Sequence, residues 1–530
     1  MIRSISPSQL REWILDDQEL ALLDVREEGE FSADGHLLFA VCLPLSRLEL
    51  GIGELVPRKM VRMVVCDDGR GSAEVAIRRL DEWGYKNISK LEGGTVGWEL
   101  AGYTLFRGVN VPSKAFGEFV EHHSATPSIA PEDLKTLLDA REDVIVLDSR
   151  PWAEYQRMNI PTAIDCPGAE LVYRFHEIVD RPETTVVVNC AGRTRSIIGA
   201  QSLINAGVEN PVFALRNGTM GWALAGFELE YRSNRKFPDL TYKSLEQTQE
   251  QVKNILKRLK IEETNLDNVK DWCRGLDERT LFLLDVRNPE EYAAGHLPGS
   301  INAPGGQLIQ ATDRWVGVMG ARLVLIDDTG VRAGMTASWL SQMGWSSVYV
   351  LRGVTEFDGL ETAISRPLMP DPPKKVELIS AVAASHAIEK GATVIDFATS
   401  LEYKSGHIPG ALWAVRSRLA DSLKAITGDG QLICTCPDGV LAHYAAADLT
   451  ELTERSVLLL DGGTASWRAS GFALAEGFEK LTTENNDIQY KAYDYDDNVE
   501  EHMNEYLSWE IGLVDLLKVD GTARFKHFSN

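Results

Sequence analysis

Residues 186–196 read VVVNCAGRTRS, and this stretch decides the fold. Its three valines form a short β-branched run, which is typical of a strand buried on both faces of a parallel sheet. The following residues, 194–211, place Ile197, Ile198 and Leu203 on one face of a helix that ends near a glycine. Cys190 is therefore predicted on a strand-to-helix turn at the carboxyl edge of a parallel sheet, where open α/β folds bind ligands.

The same pattern occurs four times along the chain, which predicts a tandem repeat. In each copy an apolar run ends in an aspartate, and a second loop residue follows 42 positions later, or 40 in the fourth copy. A glycine-rich segment with an aromatic residue closes each copy 30–32 positions further on. The aspartates and loop residues are Asp24 and Cys66, Asp148 and Cys190, Asp285 and Asp327, and Asp396 and Cys436.

Each copy alternates strands with helix-period stretches, which indicates βα units. The predicted fold class is α/β, with four tandem domains that are each a mostly parallel β-sheet flanked by α-helices. We expect domains at 1–110, 124–232, 262–370 and 376–477, a helical linker at 233–261 and an acidic C-terminal extension at 478–530. The linker is predicted to join two pairs of domains, and the extension to hold one helix that packs on a neighbour.

The composition narrows the class of protein. The formal net charge is −24, which argues against nucleic acid and anionic membranes as partners, because both favour a basic surface. No apolar run approaches the length of a membrane span, and the first residues carry charges where a secretory signal needs an apolar core. Seven scattered cysteines, an odd number, do not suggest a disulfide framework. We therefore expect a cytoplasmic protein without membrane or nucleic-acid partners.

The Cys190 loop has the composition of an anion-binding nucleophile. Backbone N–H groups in a turn before a helix, with the positive end of that helix, stabilise a thiolate and bind an anion. Arg193 and Arg195 add two guanidinium groups, which bind anions through paired hydrogen bonds. We predict Cys190 as the catalytic residue. The predicted substrate-binding residues are Ala191, Gly192, Arg193, Thr194, Arg195 and Ser196.

These motifs resemble those of the rhodanese domain, and the chain as a whole resembles multidomain rhodanese-type sulfurtransferases. The resemblance rests on the D-x-R element, the GHL or GHI element, the cysteine loop and the Gly-Trp ending. It implies a cysteine that takes a sulfane sulfur from thiosulfate or a similar small anionic donor and holds it as a persulfide. Cyanide or a thiol then accepts the sulfur. No cofactor is expected.

Three other functions stay open. The spacing C-x4-R from Cys190 to Arg195 is similar to that of sulfurtransferases, whereas phosphatases of the same fold resemble C-x5-R, so a phosphatase is the weaker enzyme hypothesis. Because at least one of the four copies lacks a nucleophile, the chain could also be a non-catalytic scaffold. It could equally be a carrier that receives sulfur from a sulfur-relay protein partner.

The four loops differ in their chemistry. Asp327 stands in the nucleophile position of the third copy, and a carboxylate cannot form a persulfide, so that copy is predicted to be inert. Cys66 and Cys436 are secondary candidates, because their acidic neighbours are expected to raise the thiol pKa and repel a dianion. Cys434 and Cys436 form a C-x-C pair without a second Cys or His pair at ligand spacing, so no metal site is predicted.

Other recurrent residues are predicted to be structural. Asp148 is expected to cap the turn after its strand, and Arg150 to pair with Glu154 four residues on. The second copy has Asn159 where the others have a histidine. The remaining residues for which we expect core or structural roles are His36, His296, His407, Trp98, Trp222, Trp467, Cys42 and Cys166, with Cys273 in the core or on the surface.

Overall fold

The chain folds into four α/β units, numbered 1 to 4 in chain order, and each is built on one five-stranded sheet. The computed structural model describes residues 2–275, 278–362, 369–372 and 374–527. Within each unit the first strand pairs with the fifth, the fifth with the fourth, the fourth with the second and the second with the third. The fourth strand is therefore central. The α/β fold predicted from the sequence, with four tandem parallel sheets, is confirmed.

Units 1 and 2 have five strands and five helices each. The elements of unit 1 are β1 Ser4–Ile5, α1 Pro7–Leu15, β2 Ala21–Asp24, α2 Glu28–Asp34, β3 Val41–Cys42, α3 Leu48–Leu55, β4 Met63–Cys66, α4 Ser72–Glu82, β5 Ile88–Leu91 and α5 Gly94–Leu100. A further helix, α6 Val111–Ser124, precedes unit 2. The elements of unit 2 are β6 Ser128–Ile129, α7 Pro131–Asp139, β7 Val144–Asp148, α8 Trp152–Arg157, β8 Ile164–Asp165, α9 Glu170–Ile178, β9 Thr185–Asn189, α10 Thr194–Asn205, β10 Val212–Leu215 and α11 Gly218–Leu224.

Units 3 and 4 follow the linker helix α12 Tyr242–Leu259. The elements of unit 3 are β11 Glu262–Glu263, α13 Leu266–Arg274, β12 Leu281–Asp285, α14 Pro289–Ala294, β13 Ile301–Asn302, α15 Gly305–Gln310, β14 Arg322–Ile326, α16 Val331–Gln342 and β15 Val348–Leu351. The elements of unit 4 are β16 Glu377–Ile379, α17 Ala381–Glu389, β17 Thr393–Asp396, α18 Ser400–Ser405, β18 Leu412–Trp413, α19 Leu419–Ala425, β19 Leu432–Thr435, α20 Val440–Leu452, β20 Val457–Leu460 and α21 Gly463–Ala469.

The C-terminal extension ends in the long helix α22, Val499–Asp520. Short 3-10 turns lie at Leu45–Arg47, Thr312–Arg314, Val354–Glu356, Arg416–Arg418 and Ala492–Asp494. Within the described residues, no helix has both the length and the apolar character needed to cross a bilayer.

The central strands are apolar because helices cover both faces of each sheet. In unit 2, Val187 packs with Trp222 on one face. Val186 and Val188, on either side of it, pack with Leu203 on the other face. This alternation follows from the two-residue period of a strand, and it explains why VVVN has no polar face. Helix α10 thus lies against the strand that leads into Cys190.

A buried aspartate–arginine pair supports the turn after the second strand of units 1 to 3. The Asp148 carboxylate accepts from the Arg150 backbone N–H at 3.1 Å and from its guanidinium at 2.8 and 2.7 Å. The predicted cap by Asp148 is confirmed. The predicted partner of Arg150 is wrong, because Glu154 pairs with Arg195 instead. The equivalent pairs are Asp24 with Arg26 and Asp285 with Arg287.

The recurrent histidines and tryptophans are structural, as predicted. The buried rings of His296 and His407 stack on Tyr292 and Tyr403 with centroids 3.7 Å apart. Asn159 takes the same place in unit 2, where its backbone forms a bridge that the histidines form in the other units. The three recurrent tryptophans, Trp98, Trp222 and Trp467, are all buried.

Buried ion pairs join unit 2 to unit 3 and unit 1 to unit 4. Arg332 of unit 3 is fully buried and donates to Glu170 of unit 2 at 2.8 Å. Arg416 of unit 4 donates to both carboxylate oxygens of Glu49 of unit 1 at 2.6 and 2.9 Å. Helix α12 packs against α9 and α16. The prediction that this helix joins two pairs of domains is therefore wrong, because it lies within the pair formed by units 2 and 3.

The junction between units 2 and 3 generates a stability prediction. We expect Arg332→Ala to destabilise the protein by about 3–5 kcal/mol, because it removes a fully buried guanidinium that binds Glu170, Glu291 and Asp328 and leaves Arg174 as the remaining cation at Glu170. Urea unfolding followed by tryptophan fluorescence measures this as a lower midpoint. Arg352→Ala is the matched control, since Arg352 is exposed and its nearest carboxylate, Glu263, lies 3.8 Å away. Equal midpoints for the two variants would contradict the prediction.

Candidate active site at the Cys190 loop

The loop at each candidate site begins one residue after the fourth strand. In unit 2, Asp148 pairs with Asn189 across the sheet, so Cys190 is the first loop residue. In unit 1, Asp24 pairs with Cys66 itself. Cys66 therefore occupies the position of Asn189, and Asp67 occupies that of Cys190. The predicted equivalence of Cys66 with Cys190 is wrong by one residue.

A recurrent backbone hydrogen bond supports this alignment. In every unit, an N–H group near the closing glycine segment donates to the carbonyl of the first loop residue, at 2.8–3.2 Å. The donors and acceptors are Thr95 and Asp67, Thr219 and Cys190, Val354 and Asp327, and Thr464 and Cys436. The first loop residues are thus Asp, Cys, Asp and Cys. The placement of Asp327 and Cys436 agrees with the sequence analysis.

In units 1 and 3 the aspartate at this position binds the N–H groups of its own loop. The donors to the Asp67 carboxylate, at 2.8–3.0 Å, are the backbone N–H groups of Gly69, Gly71 and Ala73. The donors to the Asp327 carboxylate, at 2.6–3.2 Å, are those of Gly330, Arg332 and Ala333. The loop therefore accommodates an acidic group at its centre, and in these two units that group is a side chain.

In unit 4 the cysteine itself receives a hydrogen bond. Cys436 Sγ accepts the Ala442 N–H at 3.3 Å and lies 3.5 Å from Asp438. Burial, and secondarily Asp438, raises the pKa of Cys436 to about 12. Burial also raises the pKa of Cys66 well above its usual range. Both secondary candidates are therefore thiols at pH 7, and the main cause is burial rather than the acidic neighbours that the sequence suggested.

Among the described residues of unit 2, the loop has neither an aspartate that accepts its N–H groups nor a cysteine sulfur that accepts one. The Cys190 thiol donates to Ser196 Oγ at 3.5 Å, and Ser196 donates in turn to the Arg193 carbonyl at 2.8 Å. Cys190 is only 2% exposed. Over the described residues, no group accepts from the backbone N–H groups of Ala191, Gly192, Arg193 or Arg195. Buried N–H groups in proteins are nearly always paired, so this loop has the donors for an added anion.

The two arginines of the loop bind different carboxylates. Arg195 donates to Glu154 at 2.8 and 3.3 Å. Although burial opposes the effect, the Arg195 guanidinium lowers the pKa of Glu154 to about 2, so the pair is charged at neutral pH. Arg193 donates to Glu118 at 2.7 and 2.8 Å and also binds Glu121, and both acids belong to α6. We predicted that Arg193 binds substrate. In the structure its side chain instead binds the two acids of α6 and holds the loop against that helix.

Helix α22 covers the Cys190 loop. Glu510 is fully buried and accepts from the Thr194 N–H at 3.3 Å and from the Thr194 hydroxyl. Its second oxygen, Oε2, has no hydrogen-bond partner among the described residues. The Tyr506 ring lies so close to Gly192 that an added Cβ would be 3.0 Å from it. The prediction that the extension packs a helix on a neighbour is confirmed.

Two acidic residues at the site, Glu118 of α6 and Glu510 of α22, were not predicted from the sequence. Helix α6 carries a detectable signal, since Val111, Ala115, Phe116 and Val120 recur at helical spacing and are buried. Glu118 falls between them, where an acid on an apolar helix face needs a cation. The contact of Glu510 with Thr194 joins residues 316 positions apart, and no local pattern indicates it.

A cavity of about 400 Å³ opens beside the loop. Ala191 and the buried Arg195 line it from unit 2, and α22 contributes Tyr506. Unit 3 contributes Arg314, and the segment before α6 contributes Arg107. Glu28 lines it from unit 1. The cavity is therefore a shared space of three units and the C-terminal extension, with one wall formed by Ala191 and Arg195 of the Cys190 loop.

A family model for the rhodanese-like domain matches residues 6–101, 130–225, 268–356 and 380–470. The chain belongs to the rhodanese-like family. Each match lies inside one of the four predicted domain ranges and covers the second to fifth strands of one parallel sheet. The sequence motifs that suggested this family thus agree with the fold.

Known rhodanese-like proteins resemble the chain over different lengths. The crystal structure of thiosulfate sulfurtransferase from Pseudomonas aeruginosa is 46% identical, covers 100% of both chains and has a TM-score of 0.94. Thiosulfate sulfurtransferase GlpE of Pseudomonas fluorescens is 35% identical over 82 residues, which is 16% of this chain and 75% of that protein. The HTH-type transcriptional regulator Rv0324 of Mycobacterium tuberculosis is 36% identical over 87 residues, which is 16% of this chain and only 38% of that protein.

The remaining cysteines of the rhodanese-like units lie away from the loop. Cys166 and Cys434 are fully buried, and Cys42 is partly buried. Burial raises the pKa of Cys42 and Cys166 well above their usual range. Cys273 is exposed on α13 of unit 3. Core packing is confirmed for Cys166, and Cys273 is a surface residue.

The loop geometry predicts a ranking of thiol reactivity. All three cysteines are buried, but the pKa is raised for Cys66 and Cys436, so at pH 7 limiting iodoacetamide should label Cys190 well before these two. Peptide mapping by mass spectrometry measures the order, and exposed Cys273 reports general reagent access. Labelling of Cys436 should increase as the pH rises toward about 12, where its thiolate forms. Labelling of Cys66 or Cys436 ahead of Cys190 would contradict the ranking.

Proposed function

We propose that this rhodanese-like chain is a sulfurtransferase in which Cys190 carries the transferred sulfur. Thiosulfate or a similar small anion is the donor, and cyanide or a thiol is the acceptor. Whole-length similarity to a thiosulfate sulfurtransferase supports the reaction class. The free state of all seven cysteines suits a reducing compartment, and we place the protein in the cytoplasm.

One observation carries the assignment to unit 2. Asp67 and Asp327 occupy the loop N–H groups of units 1 and 3, whereas four such groups around Cys190 have no partner among the described residues. Unit 2 therefore combines a sulfur nucleophile with open donors for an anion. Units 1 and 3 have the donors without the nucleophile. Unit 4 has Cys436, but burial keeps it protonated.

The proposed reaction places negative charge where these donors point. The Cys190 thiolate attacks the outer sulfur of thiosulfate, the new S–S bond forms, and sulfite leaves with the electron pair of the broken S–S bond. The persulfide then holds the negative charge on its outer sulfur. The N–H groups of the loop stabilise both anions, and Arg195 adds a positive charge at the same wall of the cavity.

The assignment predicts that Cys190→Ser abolishes thiocyanate formation. Serine keeps the size of the side chain but has no sulfur to form a persulfide. Mass spectrometry of the intact protein after thiosulfate treatment should show one added sulfur atom, removable by cyanide and absent from the variant. Cys436→Ser is the matched control and should keep the added sulfur. Full activity of Cys190→Ser, or an added sulfur that maps to another cysteine, would show the assignment to be wrong.

Arg195→Ala tests the charge at the loop in the same assay. Loss of one charged donor typically lowers a rate by about 30- to 1,000-fold, so slow sulfur loading should persist. A variant that loads sulfur at the full rate would remove Arg195 from the proposed mechanism.

For Glu510 we predict a gain rather than a loss, because its buried carboxylate faces the loop that binds the sulfur donor. Glu510→Gln keeps an oxygen that can accept from Thr194 but removes the negative charge. We expect the KM for thiosulfate to fall by about three- to tenfold, as repulsion of the dianion is relieved. Glu501→Gln, an exposed change in the first turn of α22, is the control. An unchanged or higher KM in Glu510→Gln would contradict the proposal that the Glu510 carboxylate repels thiosulfate.

A further inference from the structure

The cavity beside the Cys190 loop is much larger than the reactants of a thiosulfate:cyanide reaction require. Its volume of about 400 Å³ lies in the range of sites that enclose drug-sized molecules. Thiosulfate has five non-hydrogen atoms and cyanide has two. The loop donors suffice for such small anions, so the rest of the cavity has room for a larger second substrate.

Basic side chains outnumber acidic ones in the lining of the cavity, with Arg107, Lys114, Arg195, Arg314 and Lys491 against Glu28, Glu154 and Glu505. Arg195 pairs with Glu154, and Lys114 pairs with Glu510. Among the described residues, by contrast, no carboxylate forms a salt bridge with the three exposed cations Arg107, Arg314 and Lys491. In a chain with a net charge of −24, these three cations give the cavity wall a local positive charge.

These three cations come from three parts of the chain. Arg107 follows unit 1, Arg314 belongs to a 3-10 turn of unit 3, and Lys491 lies in the C-terminal extension. All are exposed, whereas Arg195 at the loop is buried. The cavity thus has a charge-paired arginine, Arg195 with Glu154, beside the Cys190 loop and an exposed group of cations elsewhere on its wall.

We propose that this cavity binds the sulfur acceptor, and that the acceptor is a low-molecular-weight thiol with carboxylates remote from its sulfur. Arg107, Arg314 and Lys491 bind the carboxylates while the thiol reaches the Cys190 loop. This inference rests on the proposed function of Cys190. It also assigns a role to unit 3, which lacks a nucleophile but supplies Arg314 and the neighbouring Trp315 to the cavity.

The transfer step is balanced without any further reactant. The acceptor thiolate attacks the outer sulfur of the Cys190 persulfide, and a new S–S bond forms on the acceptor. The bond between that outer sulfur and Cys190 breaks, and its electron pair stays on Cys190 as the thiolate. The acceptor leaves as a hydropersulfide anion, so the number of negative charges does not change.

Two thiols of different charge test the proposal on full-length protein preloaded with thiosulfate. Reduced glutathione has two carboxylates remote from its sulfur, and 2-mercaptoethanol has none. Rapid quenching and mass spectrometry give the rate at which each thiol removes the added sulfur. We expect Arg314→Gln and Lys491→Gln each to slow glutathione by about two- to fivefold relative to 2-mercaptoethanol, and the double variant by about tenfold. Comparing each thiol with itself across proteins cancels its intrinsic reactivity.

Arg352→Gln is the matched control, because it removes an exposed cation of unit 3 that does not line the cavity. It should leave the ratio of the two rates unchanged. An equal loss for both thiols in Arg314→Gln, or no loss for either, would overturn the acceptor site while leaving the proposed function intact.

Binding of unreactive S-methylglutathione, measured by titration calorimetry, separates the two proposals. Binding that weakens in the double variant supports the acceptor site even if Cys190 never takes up sulfur, a result that would sink only the proposed function. Normal sulfur loading together with undetectable or variant-independent binding would overturn the acceptor site alone.

Discussion

Each loop of this chain must provide a partner for backbone N–H groups that converge before a helix. A buried donor without an acceptor costs about 1–3 kcal/mol, so a loop of this shape is stable only with a negative or electron-rich group at its centre. Units 1 and 3 use the carboxylates of Asp67 and Asp327, and unit 4 uses the sulfur of Cys436. In unit 2 the Glu510 carboxylate of α22 accepts the Thr194 N–H, and the other unpaired N–H groups of the loop are free to bind an anion. One constraint, met in different ways, thus separates the loop that we propose to be reactive from the closed ones.

The same position of the loop lies at the candidate site in one unit and at an interface between units in another. Arg195 is the fifth residue after Cys190, and Arg332 is the fifth after Asp327. Each binds a glutamate of the helix after its second strand, Glu154 or Glu291. Arg332 additionally crosses to unit 2. With Asp327 filling the loop, the unit 3 arginine is free to stabilise an interface.

Local patterns were sufficient to predict the fold and to mark the Cys190 loop as the candidate site. Strand period, helix period and the recurrent aspartate gave four parallel sheets, because these features depend on neighbouring residues. Counting residues placed Cys66 wrongly, since equal spacing from Asp24 does not show where the strand ends. The cross-strand pair of Asp24 with Cys66 decides that point. The partners of Arg193 and Thr194 lie on α6 and α22, far away in sequence, so no local rule could supply them.

Helix α22 is synthesised long after unit 2, so the candidate site is completed late. About 270 residues separate the end of α11 from the start of α22, so unit 2 is complete long before its cover is synthesised. At about 5–20 residues per second, ribosomes need tens of seconds for that stretch. During this interval the Cys190 loop lacks Glu510 and Tyr506, and the nascent chain exposes an uncovered thiol with open N–H groups around it. The mature site is therefore a late product of translation.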